Sequence, residues 1–294
     1  MEAPATLDHL NGHTVSCTIR EYDCEGITII GNGTTIQNGI VSGSTYGISG
    51  YDINGALIKD IIAFDNYKGI YIRGNNNRLI NFTVIATATA TDYLTYGIRI
   101  QGDNNQVKDC YLSRSGILME GRNNAVISNI VEDMDDTCIR LFDGSGSVII
   151  NNTVRRCGWN GLDVSGEFYS AVAASVVASA FSASDAHFNY TRVAGNRIYK
   201  SGGGGIMINY ARNVVVESNV IVDSAEDGIV LHPSARRWTI KNNTIRKCGM
   251  SGLGIRGADA TNFTDNKISF CRRVVNPRWA GIQTQSHHQE PRIR

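Results

Sequence analysis

Residues 228–255, GIVLHPSARRWTIKNNTIRKCGMSGLGI, hold one complete copy of a unit that recurs along most of this chain. The copy opens on Gly228-Ile229 and sets Ile229 and Leu231 on one side against Val230 and His232 on the other. It crosses a turn and resumes with Trp238 and Ile240 before the pair Asn242-Asn243. Alternation with a period of two marks short strands, and the Gly and Asn clusters between them mark turns.

The same start recurs at Gly26, Gly47, Gly69, Gly97, Gly116, Cys138, Gly161, Gly205, Gly228, Gly252 and Gly281. Most intervals are roughly 20–24 residues, the span of one solenoid repeat. A second column, Asn38, Asp60, Asn81, Asp109, Asn129, Asn152, Asn219, Asn243 and Asn266, keeps a near-constant distance from the first. Asn tolerates the left-handed backbone of a sharp turn, and stacked Asn amides bond from rung to rung. Two columns in phase predict an all-β chain wound as a single-stranded parallel β-helix of about eleven rungs, rather than the unrelated strands of a sandwich.

The GI-x-I…I-x-N-N-x-I pattern, with the opening Leu10-Asn-Gly-His-Thr-Val15 and Gly26-Ile-Thr-Ile29, resembles the right-handed parallel β-helix proteins of the pectin-lyase-like superfamily. The resemblance covers nearly the whole chain. It implies a role among polysaccharide lyases, glycoside hydrolases, uronate epimerases, phage tailspikes and non-enzymatic periplasmic or surface proteins.

Composition agrees with one solenoid domain. With 31 Gly against 4 Pro in 294 residues, turns are made by Gly and Asn. A net charge of +1 carries no nucleic-acid footprint. The seven Cys show no metal-ligand spacing. Cys17 and Cys24 could bridge across the first turn, whereas Cys110, Cys138, Cys157, Cys248 and Cys271 read as small core residues. No apolar run is long enough to span a membrane, and residues after Met1 do not form a signal peptide. By resemblance the location is secreted, periplasmic or on a virion surface.

Residues 1–25 are expected to form an N-terminal cap and first rung, with the β-helix domain over 26–294. Three excesses interrupt the register, at 84–96, 167–190 and 271–280. The interval from Gly161 to Gly205 is about twice the usual one. It is read either as an extra Ala-rich rung or as one rung carrying a helical insertion near 168–187, where Val172, Val176, Val177 and Phe181 fall at helical spacing. All three flank one sheet, as insertions that wall a binding site do. The ends look uncapped, and residues 283–294 suggest a continuation or a covering partner. A homotrimer would suit a tailspike.

On that sheet, positions one and three after each start are apolar and point inward. Positions two and four point outward as Tyr71/Arg73, Arg99/Gln101, Leu118/Glu120, Arg140/Phe142, Asp163/Ser165, Met207/Asn209, Val230/His232 and Gly254/Arg256. A strip of Arg, carboxylates, amides and rings suits an extended, acidic polysaccharide. Candidate catalytic residues are Glu120, Asp136, Arg140, Asp163 and His232. In a hydrolase two carboxyls would serve as acid and base, and in a lyase or epimerase an Arg or other cation would neutralise the sugar carboxylate while His232 or an Arg takes a proton. Tyr71, Arg73, Arg99, Trp159, Asn209 and Arg256 are candidate substrate contacts. No cofactor is called for. Glu120, Asp136 and Asp163 could hold Ca2+, although no loop of dedicated spacing is present.

Asp135-Asp136-Thr-Cys-Ile-Arg140 is similar to a polygalacturonase motif, with Thr137 inserted and the flanking motifs replaced by Arg114-Ser115-Gly116 and Gly158-Trp159-Asn160-Gly161. Asp227-Gly-Ile-Val-Leu-His232 resembles a stretch of mannuronan epimerases, with Val230 in place of its acid. The alternative to an enzyme is a non-catalytic β-helix, a tailspike or surface glycan-binding protein, whose strip only binds or is inert.

Overall fold

The computed structural model describes residues 7–17, 24–85, 96–165, 188–209, 211–232, 237–256 and 262–277. Their strands stack in parallel from rung to rung, and each turn contributes to three faces. The first face is a sheet of 11 strands running from Glu25–Ile29 to Arg273–Pro277. The second and third faces make one sheet of 19 strands. They are joined because Thr35–Ser42, Leu57–Phe64 and Arg78–Ile85 run unbroken past the corner where later rungs split, as at Gln106–Lys108 and Tyr111–Ser113.

This is the all-β parallel solenoid expected from the two columns, and no helix occurs among the described residues. The turn count falls slightly short of eleven. The last strand of the first face is Arg273–Pro277, earlier than the start expected at Gly281. The excess at 271–280 is therefore largely a strand of the first face.

The inward pairs Ile70/Ile72, Ile98/Ile100, Ile117/Met119, Ile139/Leu141, Leu162/Val164 and Ile206/Ile208 are fully buried. Each such side chain contributes about 1.5–3 kcal/mol relative to exposure. The Gly that opens a rung owes its place to close approach. A Cβ on Gly69 would lie 2.7 Å from the carbonyl oxygen of Gly97, and one on Gly205 would lie 2.6 Å from that of Gly228.

The second column divides into two adjacent positions with different jobs. Asn38, Asp60, Asn81 and Asp109 have positive φ and turn the corner between the second and third faces. From Ser128 onward a different residue takes that conformation, and the Asn that follows it is buried. Asn129, Asn152, Asn196, Asn219, Asn243 and Asn266 form a ladder in which each amide donates to the next side-chain oxygen at 2.9–3.0 Å. The amide also donates to a backbone carbonyl of the preceding rung, as Asn219 does to Val193.

Asn196 shows that the long interval is one rung. Leu162–Ser165 pairs directly with Ile206–Asn209, while Arg192–Ala194 and Arg197–Ser201 supply the other two faces. The extra-rung alternative is thus excluded, and the helical reading of 168–187 lies outside the described residues. The excess at 84–96 likewise falls mostly outside them, although Val84 is buried in the third face.

Cys17 and Cys24 form a disulfide, as the first turn allowed. Cys138 and Cys157 form a second one, which corrects their reading as separate core residues. Cys138 replaces the Gly that opens its rung, and its side chain reaches the corner position that ends the following third-face strand, Thr153–Cys157. Cys110 and Cys248 are free and buried, and Cys271 is free and half-buried.

Candidate functional site

Register fixes the first face's outward side. Tyr71, Arg99, Leu118, Arg140, Asp163, Met207, Val230 and Gly254 fall in one line. Arg73, Gln101, Glu120, Phe142, Ser165 and Asn209 fall in a second. His232 and Arg256 extend that second line through the backbone bonds of His232 to Ile208 and of Arg256 to Leu231. The outward strip is therefore as expected, with two corrections: Leu118 and Val230, although placed outward by register, are fully buried.

The candidates separate into three groups. In the first, Arg99 donates to Glu120 at 2.9 Å, Gln101 donates to the other oxygen of Glu120, and Tyr71 donates to Gln101. The Arg99 guanidinium lies 5.6 Å from the centre of the Tyr71 ring. Arg73 does not join this group; it faces Asp52 at 3.9 Å on an exposed corner.

The second group centres on Arg140. Its Nη2 meets Asp136 at 3.4 Å and the Thr137 hydroxyl at 3.0 Å, and its Nε lies 3.4 Å from Asp163. Ser165 donates to Asp163 at 2.7 Å, and Asn209 donates to Ser165 at 3.2 Å. The guanidinium is stacked 5.8 Å from both the Tyr96 and Phe142 rings. Tyr96 was not singled out by sequence because it stands at the end of an insertion. Its only signal was an aromatic residue directly before a rung start, and its ring fits against Gly116, where a Cβ would come within 3.0 Å.

Electrostatics in this group are uneven. Burial pushes the Asp163 carboxyl above the ordinary carboxylate range, outweighing the downward pull of Arg140 and Ser165, and Asp136 adds to the push. Asp163 is only 8% exposed. Burial also lifts the Tyr96 hydroxyl against the pull of Arg140. Burial opposes the Arg140 charge, but Tyr96, Asp163 and Asp136 outweigh it and hold the guanidinium protonated. The Tyr96 hydroxyl and Arg140 Nε are buried without a well-formed hydrogen bond.

The third group is His232 with Arg256 and Asp227. Burial, with Arg256 adding to it, lowers the His232 pKa, so the imidazole is neutral at pH 7. Arg256 lies 3.7 Å from Asp227, which is buried and accepts a bond from the Ser251 amide at 2.6 Å. His232 stands two rungs from Ser165, roughly 10 Å at the usual strand spacing.

Beside the strip, a corner column of Asp136, Trp159, Gly203, Glu226 and Met250 is fixed by successive backbone bonds. Trp159 is 48% exposed and its ring lies along Gly203. The intervening rung offers only Gly there, and the Trp159 ring covers the place of its missing side chain. Glu226 was missed in the sequence, and the run Gly202–Gly205 was its signal. An open groove of about 830 Å3 runs along the same corner, lined by Arg114, Asp133, Asp135, Arg156 and Lys200. Its charges are partly spent, since Arg156 pairs with Asp133 in a bidentate contact.

The Ca2+ expectation finds no cluster to support it. Among the described residues no three His, Cys, Asp or Glu side chains converge for a metal. Glu120 is held by Arg99, and Asp136 and Asp163 both face the Arg140 guanidinium.

Comparison with known proteins decides the family. The profile described as right handed beta helix region matches residues 82–179 and 178–293. The chain belongs to the right-handed β-helix family. No curated protein matches this β-helix in sequence. Among solved structures it is similar to PfbA, a surface adhesin of Streptococcus pneumoniae, at 13% identity and TM-score 0.63, covering 84% of this chain and 70% of that one. It is also similar to the alginate lyase AlyF-OU02 with G6, at 14% identity and TM-score 0.56, covering 89% of this chain and 56% of the lyase. The tailspike protein of E. coli bacteriophage HK620 in complex with pentasaccharide matches at 8% identity and TM-score 0.52, covering 84% of this chain and 56% of the tailspike. The β-helix thus spans little more than half of the lyase and tailspike chains, and at these identities the likeness shows the fold alone. No helix among the described residues is long and apolar enough to cross a membrane.

Proposed function

We propose that the first face binds an extended, acidic polysaccharide and that the Arg140 group acts on it by hydrolysis. The observation that carries this reading is Asp163, a buried carboxyl held above its ordinary range beside a second carboxyl, Asp136, and facing the outer side of the sheet. A protonated Asp163 can deliver its proton to a glycosidic oxygen as the bond breaks. Asp136, paired with Arg140 at 3.4 Å, can take a proton from the attacking water. Arg99, Arg140 and Arg256 supply donors for sugar carboxylates, and Trp159 supplies a ring face for a sugar. Lyase or epimerase chemistry at His232 has less support, because His232 stands two rungs from Ser165 of the Arg140 group.

Two disulfides fit an oxidising compartment, and the neighbours named above include an adhesin and a virion protein, so we place the chain outside the cytoplasm. A second reading, a non-catalytic glycan-binding β-helix, is favoured by one observation. Arg99 and Arg140 already face carboxylates of their own face, so the strip offers an anionic chain little unpaired charge.

The test is a panel of polyuronates and neutral polysaccharides, following reducing ends and the ultraviolet absorbance of unsaturated uronates together. The hydrolytic reading predicts reducing ends without new absorbance, lost in Asp163→Asn. Absorbance lost in His232→Ala would make the protein a lyase, and silence with retained glycan binding would establish the second reading.

A further inference from the structure

We infer that Cys248 and Cys271 are a dithiol pair poised to close a third disulfide between the last two full rungs. Thr244–Cys248 and Lys267–Ser269 run in register, with Thr244 opposite Lys267, Ile245 opposite Ile268 and Arg246 opposite Ser269. Counting on sets Lys247 opposite Phe270, and both have the same left-handed corner conformation, at φ 57 and 56. The next position sets Cys248 opposite Cys271. The Cys248 amide donates to the Cys271 sulfur at 3.3 Å, so the two residues are in contact. Rungs about 4.8 Å apart fall within the Cα separation of roughly 4.4–6.8 Å that a disulfide spans.

The pair occupies a column of small inward side chains. Cys157, Ser201, Ser224 and Cys248 follow one another in register along the end of the third face. Cys157 at the head of that column is already oxidised, through Cys138. At its other end Cys248 is 4% exposed, whereas Cys271 is half-buried and open to a small reagent. The bond that the Cys248 thiol donates holds Cys271 below the usual thiol range and raises Cys248. Cys271 is therefore the attacking thiol.

The step balances with a low-molecular-weight disulfide as oxidant. The Cys271 thiolate attacks one sulfur of the oxidant and releases its first thiol, leaving a mixed disulfide. The Cys248 thiol loses its proton and attacks the Cys271 sulfur, releasing the second thiol. Two protein thiols and one disulfide become one protein disulfide and two small thiols. The product ties the penultimate rung to the last one, where the solenoid has no further rung among the described residues to hold it.

The full chain would be incubated with oxidised glutathione, its remaining thiols alkylated under denaturing conditions, and the tryptic peptides analysed by mass spectrometry. The expected product is Cys248–Arg256 joined to Ile268–Arg272, with Cys110 alkylated. Native tryptic cleavage beside Cys271, after Arg272, should slow on the order of tenfold on oxidation, and Cys271→Ser should lose that effect. Recovery of both peptides alkylated would overturn the inference. So would a stable glutathione adduct on Cys271 with Cys248 alkylated, or a bond from either residue to Cys110.

Discussion

In the proposed hydrolysis Asp163 is the acid, and its burial carries a cost. Its raised pKa means that the native state holds a proton more tightly there than the unfolded chain does. Stability from this group is therefore present at low pH and is lost as pH rises from the ordinary carboxylate range through the raised value. Asp163→Asn is expected to keep or raise the thermal midpoint at pH 7, with the gain vanishing near pH 3, while hydrolysis is abolished. A midpoint that falls at pH 7 would mean that Arg140 depends on the Asp163 charge for its place. His232 has the opposite sense: its lowered pKa costs stability as pH falls below the ordinary His range, because the unfolded chain then takes the proton first. His232→Gln should therefore flatten the loss of stability between about pH 6.5 and 5 in a thermal-melt series. At this scale the sequence told which side chains share a face but not their partners. Leu118 alternates outward like Glu120 and yet is buried, because alternation sets the face a side chain leaves from and not what packs against it there.

Among the elements, the Asn ladder at the corner between the second and third faces holds the rungs in register. Asn219 accepts from the Asn196 amide and donates to Asn243 and to the Val193 carbonyl, all within 3.0 Å. Asn219→Ala leaves buried groups on the adjoining rungs unpaired and should cost roughly 2–4 kcal/mol, since each such orphan costs about 1–3 kcal/mol. A calorimetric scan should show the midpoint reduced by several degrees, whereas Asn242→Ala at the exposed neighbouring position should cost less, through its left-handed backbone alone. Asn suits both the left-handed corner and the ladder, so a column of Asn and Asp in the sequence could not separate the two positions. The repeat itself was legible because rung-to-rung contact forbids a Cβ at most rung starts. Cys138 escaped the same reasoning: its partner, Cys157, lies in a different column, and the bond exists only once the corner is folded.

For the whole molecule, three parallel faces give a straight edge on which groups from successive rungs line up at strand spacing, a geometry that suits a linear polymer better than a compact ligand. Family and architecture could be read from the repeat. The reaction could not, because the three groups around Arg99, Arg140 and His232 are assembled from rungs with no shared local motif. The most direct measurement is a calorimetric titration of a defined oligouronate into the wild-type protein and into Arg140→Lys, Trp159→Ala and Arg78→Ala. Arg140→Lys keeps the charge but loses the planar fork, and Arg78 lies exposed on the second face. The account predicts affinity reduced about tenfold by each of the first two changes and unaffected by the third, matching the roughly 1.4 kcal/mol that one lost contact of this kind represents. Equal losses in all three, or binding that ignores Arg140 and Trp159, would contradict the placement of the polysaccharide on the first face.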